Sequence, residues 1–337
     1  MNVKEAVAIG RGKDGCSDVH IIGGDPPKFR VSGRSEAATE IISKEDVEHF
    51  LQEVLNEKKH AQLRNLGACN AMANVDGDQV RLHAHREQRG TRLAIRLTKN
   101  SIPKMSNLNL PSGIAEWVDR SSGLVLVCGP SGSGKTTLLA AMVNKLNSTN
   151  RGAIVTVERP VEYVHPQHGL YVSQIEVGRD VASFEAGINA ALQSDPDVLM
   201  IGEVNDQESA KAMMTATETG HLVMASTHAQ DTLQALDRLS TWGGQASLIQ
   251  LTHVLVGIVA LRLVPGIDGD IVPAAEVMVM NDAIKRMVRE ERIHQIRSLM
   301  ETDSSMQTLE MDLTRLVKEN RIDAKTAKIY AARPEVM

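Results

Sequence analysis

The run Leu124-Val-Leu-Val-Cys128, followed by Gly129-Pro-Ser-Gly-Ser-Gly-Lys-Thr136 and then by Thr137-Leu-Leu-Ala-Ala-Met-Val-Asn-Lys-Leu146, decides how this chain is read. The first run is apolar and of strand length, and the last is a strong helix former. Between them the octet satisfies G-x-x-x-x-G-K-[ST] at every fixed position. Strand, glycine-rich turn and helix, in that order, make a phosphate cradle. Glycines let backbone N–H groups converge on phosphate oxygens, and the helix N-terminus adds partial positive charge. On this reading Gly129, Ser131, Gly132, Ser133, Gly134, Lys135, Thr136 and Thr137 hold a nucleotide. Lys135 pairs with the β- and γ-phosphates and the Thr136 hydroxyl ligates Mg²⁺.

Outward from this loop the texture repeats. Apolar runs at 124–128, 153–157, 198–201 and 222–226 are each followed by a helical stretch. That alternation predicts an α/β unit with a mainly parallel sheet and helices on both faces. The last third reads as helical, with Leu309, Leu313, Leu316 and Val317 forming one amphipathic stripe. Residues 1–97 read as a small α/β domain and 98–112, polar with Pro103 and Pro111, as a linker to 113–337.

A triphosphatase also needs carboxylates for the metal and for activating water. Asp197-Val-Leu-Met-Ile-Gly-Glu203 is an apolar strand ending in one, and Glu203 is a candidate metal ligand and catalytic group. Val155-Thr-Val-Glu158-Arg159-Pro-Val-Glu162 places two more at and beyond another strand end. Ligands of open α/β sheets bind outside the carboxyl ends of strands, so both sets are expected to face the loop. For Glu158 a solvated loop acid is an equal alternative. His221 and His228 flank the run 222–226, either as γ-phosphate contacts or as ordinary satisfied histidines.

Residues 80–85 alternate strictly, with Val80, Leu82 and Ala84 on one face and Arg81, His83 and His85 on the other. After Arg89-Gly90 a second run turns Leu93, Ile95 and Leu97 inward and Arg92 and Arg96 outward. Period two predicts a half-buried hairpin with a cationic face. That face is either simply solvated or meets phosphate, in this chain's own site or a neighbour's. His83-x-His85 lacks an evident third ligand for a metal. Gly10-Arg-Gly-Lys-Asp-Gly15 satisfies G-x-G-x-x-G but no strong strand precedes it, so it reads as a loop.

Composition narrows the classes. The 337 residues carry 37 Lys+Arg and 42 Asp+Glu, a formal net charge of −5, and only 2% aromatics. A nucleic-acid binder shows a basic excess or stacking aromatics, so none is expected as partner. Hydrophobic residues at 42% suffice for an aliphatic, Met-filled core. Cys16, Cys69 and Cys128 form no CxxC pair. The N-terminal residues lack a signal-type apolar region, and the longest apolar run, Val254–Leu261, is far below the roughly 20 residues of a membrane span. A cytoplasmic protein is expected.

Taken together these segments resemble the PilT-type retraction ATPases of type IV pili, within the secretion-ATPase superfamily. Ser17-Asp-Val-His20 and Pro26-Pro-Lys-Phe-Arg-Val-Ser-Gly33 resemble the opening of the family's PAS-like N-terminal domain. Thr156–His165 resembles its Asp box, with Glu162 matching the general base. Glu203 matches the Walker B glutamate, and His221 and His228 the His box. Ala283-Ile-Lys-Arg-Met-Val-Arg-Glu290 resembles a segment tied to retraction, and His294-Gln-Ile296 and Met306-Gln-Thr-Leu309 extend the likeness. Arg81, Arg89 and Arg96 fall where family arginines reach nucleotide across domain or subunit boundaries. The resemblance implies a RecA-like core, ATP and Mg²⁺ as cofactors, and a homo-hexamer. It also implies attachment at the inner membrane through a pilus platform protein, and catalysis by Lys135, Glu162, Glu203, His228, Arg81 and Arg96, with Arg89 and His221 on the nucleotide.

Three positions depart from the family. Arg159 stands where Glu-Asp-Pro is usual, Asn205 where an arginine is usual, and Lys285 replaces an arginine. Arg159 changes local charge by two units, each worth roughly 3 kcal/mol at about 6 Å and an effective dielectric of about 20. Two readings compete with a retraction motor: a low-turnover accessory subunit working beside a paralogous ATPase, and an ATPase of a conjugation or type IV secretion system. The longer assembly ATPases carry a tetracysteine metal site, for which this chain lacks the cysteines.

Overall fold

The computed structural model describes residues 1–13, 15–31, 34–97, 102–111, 113–148, 152–167 and 171–336, with backbone alone for 243–248. The chain divides into two compact units, Met1–Ser101 and Ile102–Met337.

In the first unit, β1 (Cys16–Ile22), β2 (Lys28–Val31), β3 (Arg34–Ala37), β4 (Ala68–Val75), β5 (Asp78–Glu87) and β6 (Gly90–Leu97) form one antiparallel sheet in the order β3-β2-β1-β6-β5-β4. The strict alternation of β5 and β6 sends Val80, Leu82, Ala84, Leu93 and Ile95 into one core with Val3, Val7, Phe50 and Leu51 of the helices Val3–Gly12 and Lys44–Val54. The opposite face carries Arg81 across from Arg96 and His85 across from Arg92, as period two requires. The loop expected at Gly10–Gly15 is not one at its start. Gly10 lies within the helix Val3–Gly12, and a Cβ there would come 2.8 Å from Val19 Cγ2. That glycine serves helix–sheet approach, and position 14 lies outside the described residues.

The second unit is built on β7 (Gly123–Cys128), β8 (Ala153–Glu158), β9 (Tyr171–Glu176), β10 (Val198–Ile201), β11 (Leu222–Thr227), β12 (Leu255–Pro265) and β13 (Ile271–Val279), in the order β13-β12-β7-β11-β10-β8-β9. All neighbours are parallel except β12 with β13. Strand β7 shows why its sequence is apolar throughout. Leu124, Leu126 and Cys128 enter a core with Ile188, Met213 and Leu236, while Val125 and Val127 enter another with Leu138, Leu139 and Met142. Both faces of a parallel sheet are covered, so no polar alternation survives.

The last third is less helical than its sequence suggests, because β12 and β13 lie in it. β12 begins directly where the helix Thr232–Val254 ends, with no turn signal between them. Beyond β13 the chain is helical, and Leu309, Leu313 and Leu316 bury against Val264 and Val272. The helix Asp282–Arg289 buries Ile284 and Val288 and leaves Ala283 exposed. Of the expected linker, 98–101 and 112 lie outside the described residues. Met105, Leu108 and Leu110 lie packed on the core that holds Val125 and Val127, around the short 3₁₀ helix Met105–Leu108. Among the described residues no helix is long and apolar enough to cross a membrane.

Candidate nucleotide site at the strand ends

The parallel register brings five strand ends to one edge of the sheet. Cys128 pairs with Thr227 and Ala260, Ala225 with Ile201, Ile201 with Val157, and Glu158 with Glu176. The loop after β7, the carboxylates after β8 and β10, and the histidine after β11 therefore share that edge.

The loop has the backbone its glycines were read to supply. Gly129, Gly132 and Gly134 have φ of 147°, 77° and 97°, and Gly134 caps the helix Lys135–Asn147. Gly129 is also a matter of space, since a Cβ there would lie 2.5 Å from the backbone oxygen of Leu261. Lys135 Nζ donates to the carbonyls of Gly129 and Pro130 at 2.8 and 3.0 Å, curling over the loop it belongs to. Burial lowers the Lys135 pKa, and the charges of Glu203, Cys128 and Glu162 oppose that shift. Both candidate carboxylates therefore lie within electrostatic reach of the amine.

Glu203, two residues past β10, meets His228, one residue past β11: Oε1 and Nε2 are 2.5 Å apart. Arg238 holds the backbone oxygen of His228 from the following helix. Glu162 projects from an exposed position on the segment after β8. Glu158 is no solvated loop acid. It is 3% exposed, accepts from Thr156 Oγ1 at 2.7 Å and from Gln174 Nε2 at 3.2 Å, and burial raises its pKa to about 7.

His221 is not brought to the loop. Leu222 pairs with Gly123, so His221 precedes the entry end of β11, whereas the loop leaves the exit end of β7. Five residues of strand separate the two ends, about 17 Å at ~3.3 Å per residue. His221 Nδ1 instead contacts Thr219 Oγ1 at 3.0 Å and the Ala216 carbonyl oxygen at 2.9 Å, a satisfied structural histidine. Arg81, Arg89 and Arg96 belong to the first unit. There Arg96 Nε donates to Asp18 Oδ1 at 3.0 Å and Arg89 to Asp25 Oδ1 at 2.8 Å.

Sequence reasoning missed the polar side chains of β9. Gln174 contacts Glu158, and it also donates to the Tyr163 carbonyl at 2.9 Å. Tyr163 OH in turn meets Thr137 Oγ1 at 3.0 Å, tying the segment after β8 to the first turn of the loop's helix. The signal was present in Tyr171-Val-Ser-Gln-Ile-Glu176, whose polar positions a search for apolar runs passes over.

The residues fit a magnesium nucleotide. Ser133 Oγ is buried in the loop without a hydrogen-bond partner among the described residues. Among the described residues the Lys135 amine donates to carbonyls of its own loop, and the Glu203 and Glu162 carboxylates lie within its electrostatic reach. An α/β sheet with this loop and these carboxylates at its edge defines a P-loop ATPase.

The chain belongs to the Type II/IV secretion system protein family, which matches residues 79–295. It is 32% identical over 343 residues to the type IV pilus retraction ATPase PilT of Pseudomonas aeruginosa, covering 99% of each chain. It is 33% identical over 329 residues to the uncharacterized protein YggR of Escherichia coli, covering 96% of this chain and 100% of that one. Among solved structures, the pilus retraction motor PilT with bound ADP superposes with a TM-score of 0.92 at 31% identity, covering 100% of this chain and 99% of that one.

Proposed function

We propose that this protein is a hexameric ATP-hydrolysing motor that powers retraction of type IV pili. The observation that carries the reading is the likeness to a pilus retraction motor along the whole chain, at a TM-score of 0.92. Residues 1–97 serve as a PAS-like N-terminal domain, 98–112 as a linker and 113–337 as the RecA-like ATPase domain. The motor works in the cytoplasm, docked on a platform protein of the inner membrane.

Within the site each group has a task. The amides of Gly129–Thr137 bind the phosphates and Lys135 moves from its loop carbonyls onto the β/γ-phosphate charge. Thr136 and Glu203 would hold Mg²⁺, which would offset phosphate charge. Glu162 takes the proton of the attacking water. His228 senses the γ-phosphate and passes its presence to Glu203. Arg81, Arg89 and Arg96 reach nucleotide across a domain or subunit boundary, where a trans arginine is worth about 10³–10⁵ in rate.

The accessory-subunit reading draws on Arg159 and Asn205. That guanidinium lies 5.1 Å from the centroid of the Phe184 ring, and its charge helps lower the pKa of Asp206, after the hydrogen bonds from Ser209. This placement supports normal turnover. The experiment is steady-state ATPase with oligomer mass for wild type and Glu162→Ala. A ring of six with Glu162→Ala inactive yet binding ADP is expected. Full turnover by Glu162→Ala, or a monomer that hydrolyses as fast as any assembly, would overturn the reading.

A further inference from the structure

Glu162 is an exposed side chain on a segment that lacks regular secondary structure, yet a general base must hold its position closely. The edge strand β9 supplies the restraint. Gln174 and Glu176 are two residues apart and so share one face of the strand. Glu176 Oε2 accepts from the Val161 N–H at 3.2 Å, just before Glu162. Gln174 Nε2 donates to the Tyr163 carbonyl at 2.9 Å, just after it. The same amide nitrogen donates to Glu158 Oε1 at 3.2 Å, and Gln174 Oε1 accepts from the His165 N–H at 2.9 Å. One glutamine thus joins three points of residues 158–165 and uses its donor and acceptor ends at once. The Tyr163–Thr137 contact extends the same set to the loop's helix.

We propose that Gln174 is a positioning residue for hydrolysis: it fixes the backbone on either side of Glu162 so that the carboxylate faces the phosphate edge. This rests on the assignment of Glu162 as base. Gln174 touches no reacting atom and acts only through the segment it clamps.

The test is steady-state ATPase and fluorescent-ADP titration on the full assembled chain, for Gln174→Leu in the wild-type and Glu162→Asp backgrounds. In wild type Gln174→Leu is expected to lower kcat about 10- to 100-fold with ADP affinity within about threefold. In Glu162→Asp, whose carboxylate is already displaced, the same change is expected to cost less than about threefold, because coupled residues are not additive. An equal factor in both backgrounds, or wild-type kcat for Gln174→Leu while Glu162→Ala is inactive, overturns the proposal and leaves Glu162 in place. Turnover by Glu162→Ala overturns the base assignment instead. Gln174→Glu keeps the acceptor for His165 but sets a carboxylate against Glu158 and the Tyr163 carbonyl, so the Tm of both variants is measured to guard against a folding defect. Loss of ADP binding in both Gln174 variants would make the clamp part of the fold and refute a catalytic role.

Discussion

Glu203 Oε1 and His228 Nε2 stand 2.5 Å apart although they lie on different loops, because the register that pairs Ile201 with Ala225 brings the exits of β10 and β11 together. Adjacent parallel strands make the contact, and it puts the imidazole that follows β11 directly on the candidate metal carboxylate. Replacing His228 by Ala is expected to lower kcat about 10²-fold or more, in the range of acid–base and orienting groups, with ADP affinity within about threefold. Steady-state ATPase with an ADP titration checks this; unchanged turnover would remove His228 from the machinery.

Gly129 is expected to tolerate no side chain. Its φ is 147°, and a Cβ would press on Ser133 Oγ and lie 2.5 Å from the Leu261 carbonyl oxygen. Gly129→Ala is expected to cost about 1–3 kcal/mol of stability and to weaken nucleotide binding at least about tenfold. Denaturant unfolding and calorimetry with magnesium ADP report the two effects separately. Wild-type values for both would show the loop to be far more yielding than its contacts imply.

The buried Glu158 makes stability depend on pH. Its pKa is about 7 in the folded protein against an ordinary 4.5, with burial the main cause and the Glu162 charge adding to it. The folded state thus holds this proton more tightly than the unfolded state. Its contribution is intact below about pH 4.5 and is lost as pH rises through about 7, by roughly 3 kcal/mol at most. Glu158→Gln is expected to flatten the decline of Tm between pH 5 and pH 8. Parallel profiles for wild type and variant would contradict the assignment.

Arg159 occupies the place of a family acid, and the question is whether its charge reaches the chemistry. It lies over Phe184, a contact worth about 0.5–1 kcal/mol at an exposed site, and burial and hydrogen bonds rather than Arg159 set the titration of Glu158. Arg159→Asp is therefore expected to lower stability by about that amount and to change kcat by less than about threefold. A large gain in turnover would show that the arginine restrains the site.

The legible parts of this molecule were those with short-range signals. The strand–loop–helix at 124–146 and the hairpin around Arg89-Gly90 follow from local periodicity and glycine placement, and both stand in the structure with the expected faces inward. Lys135 was read from its glycine-rich motif, and Glu203 and His228 from the rule that strand ends of a parallel sheet share one edge, where the structure brings those two side chains into contact. The same rule failed for His221, since a strand has two ends and only one faces the loop. Glu158 was ambiguous because burial at the last residue of β8 depends on β9, a polar edge strand with no apolar run to announce it. β12 and β13 were obscured for the opposite reason: apolar residues followed a long helix without a break.

The central claim is that the loop ending at Lys135 binds a magnesium nucleotide which the flanking carboxylates then help cleave. Titration calorimetry with magnesium ATP on wild type and on Lys135→Ala tests it most directly. Wild type is expected to bind with micromolar affinity or better and the variant at least about tenfold more weakly, a loss of about 1.4 kcal/mol or more. Folded wild-type protein that takes up no magnesium ATP, or equal binding by the two, would contradict the account.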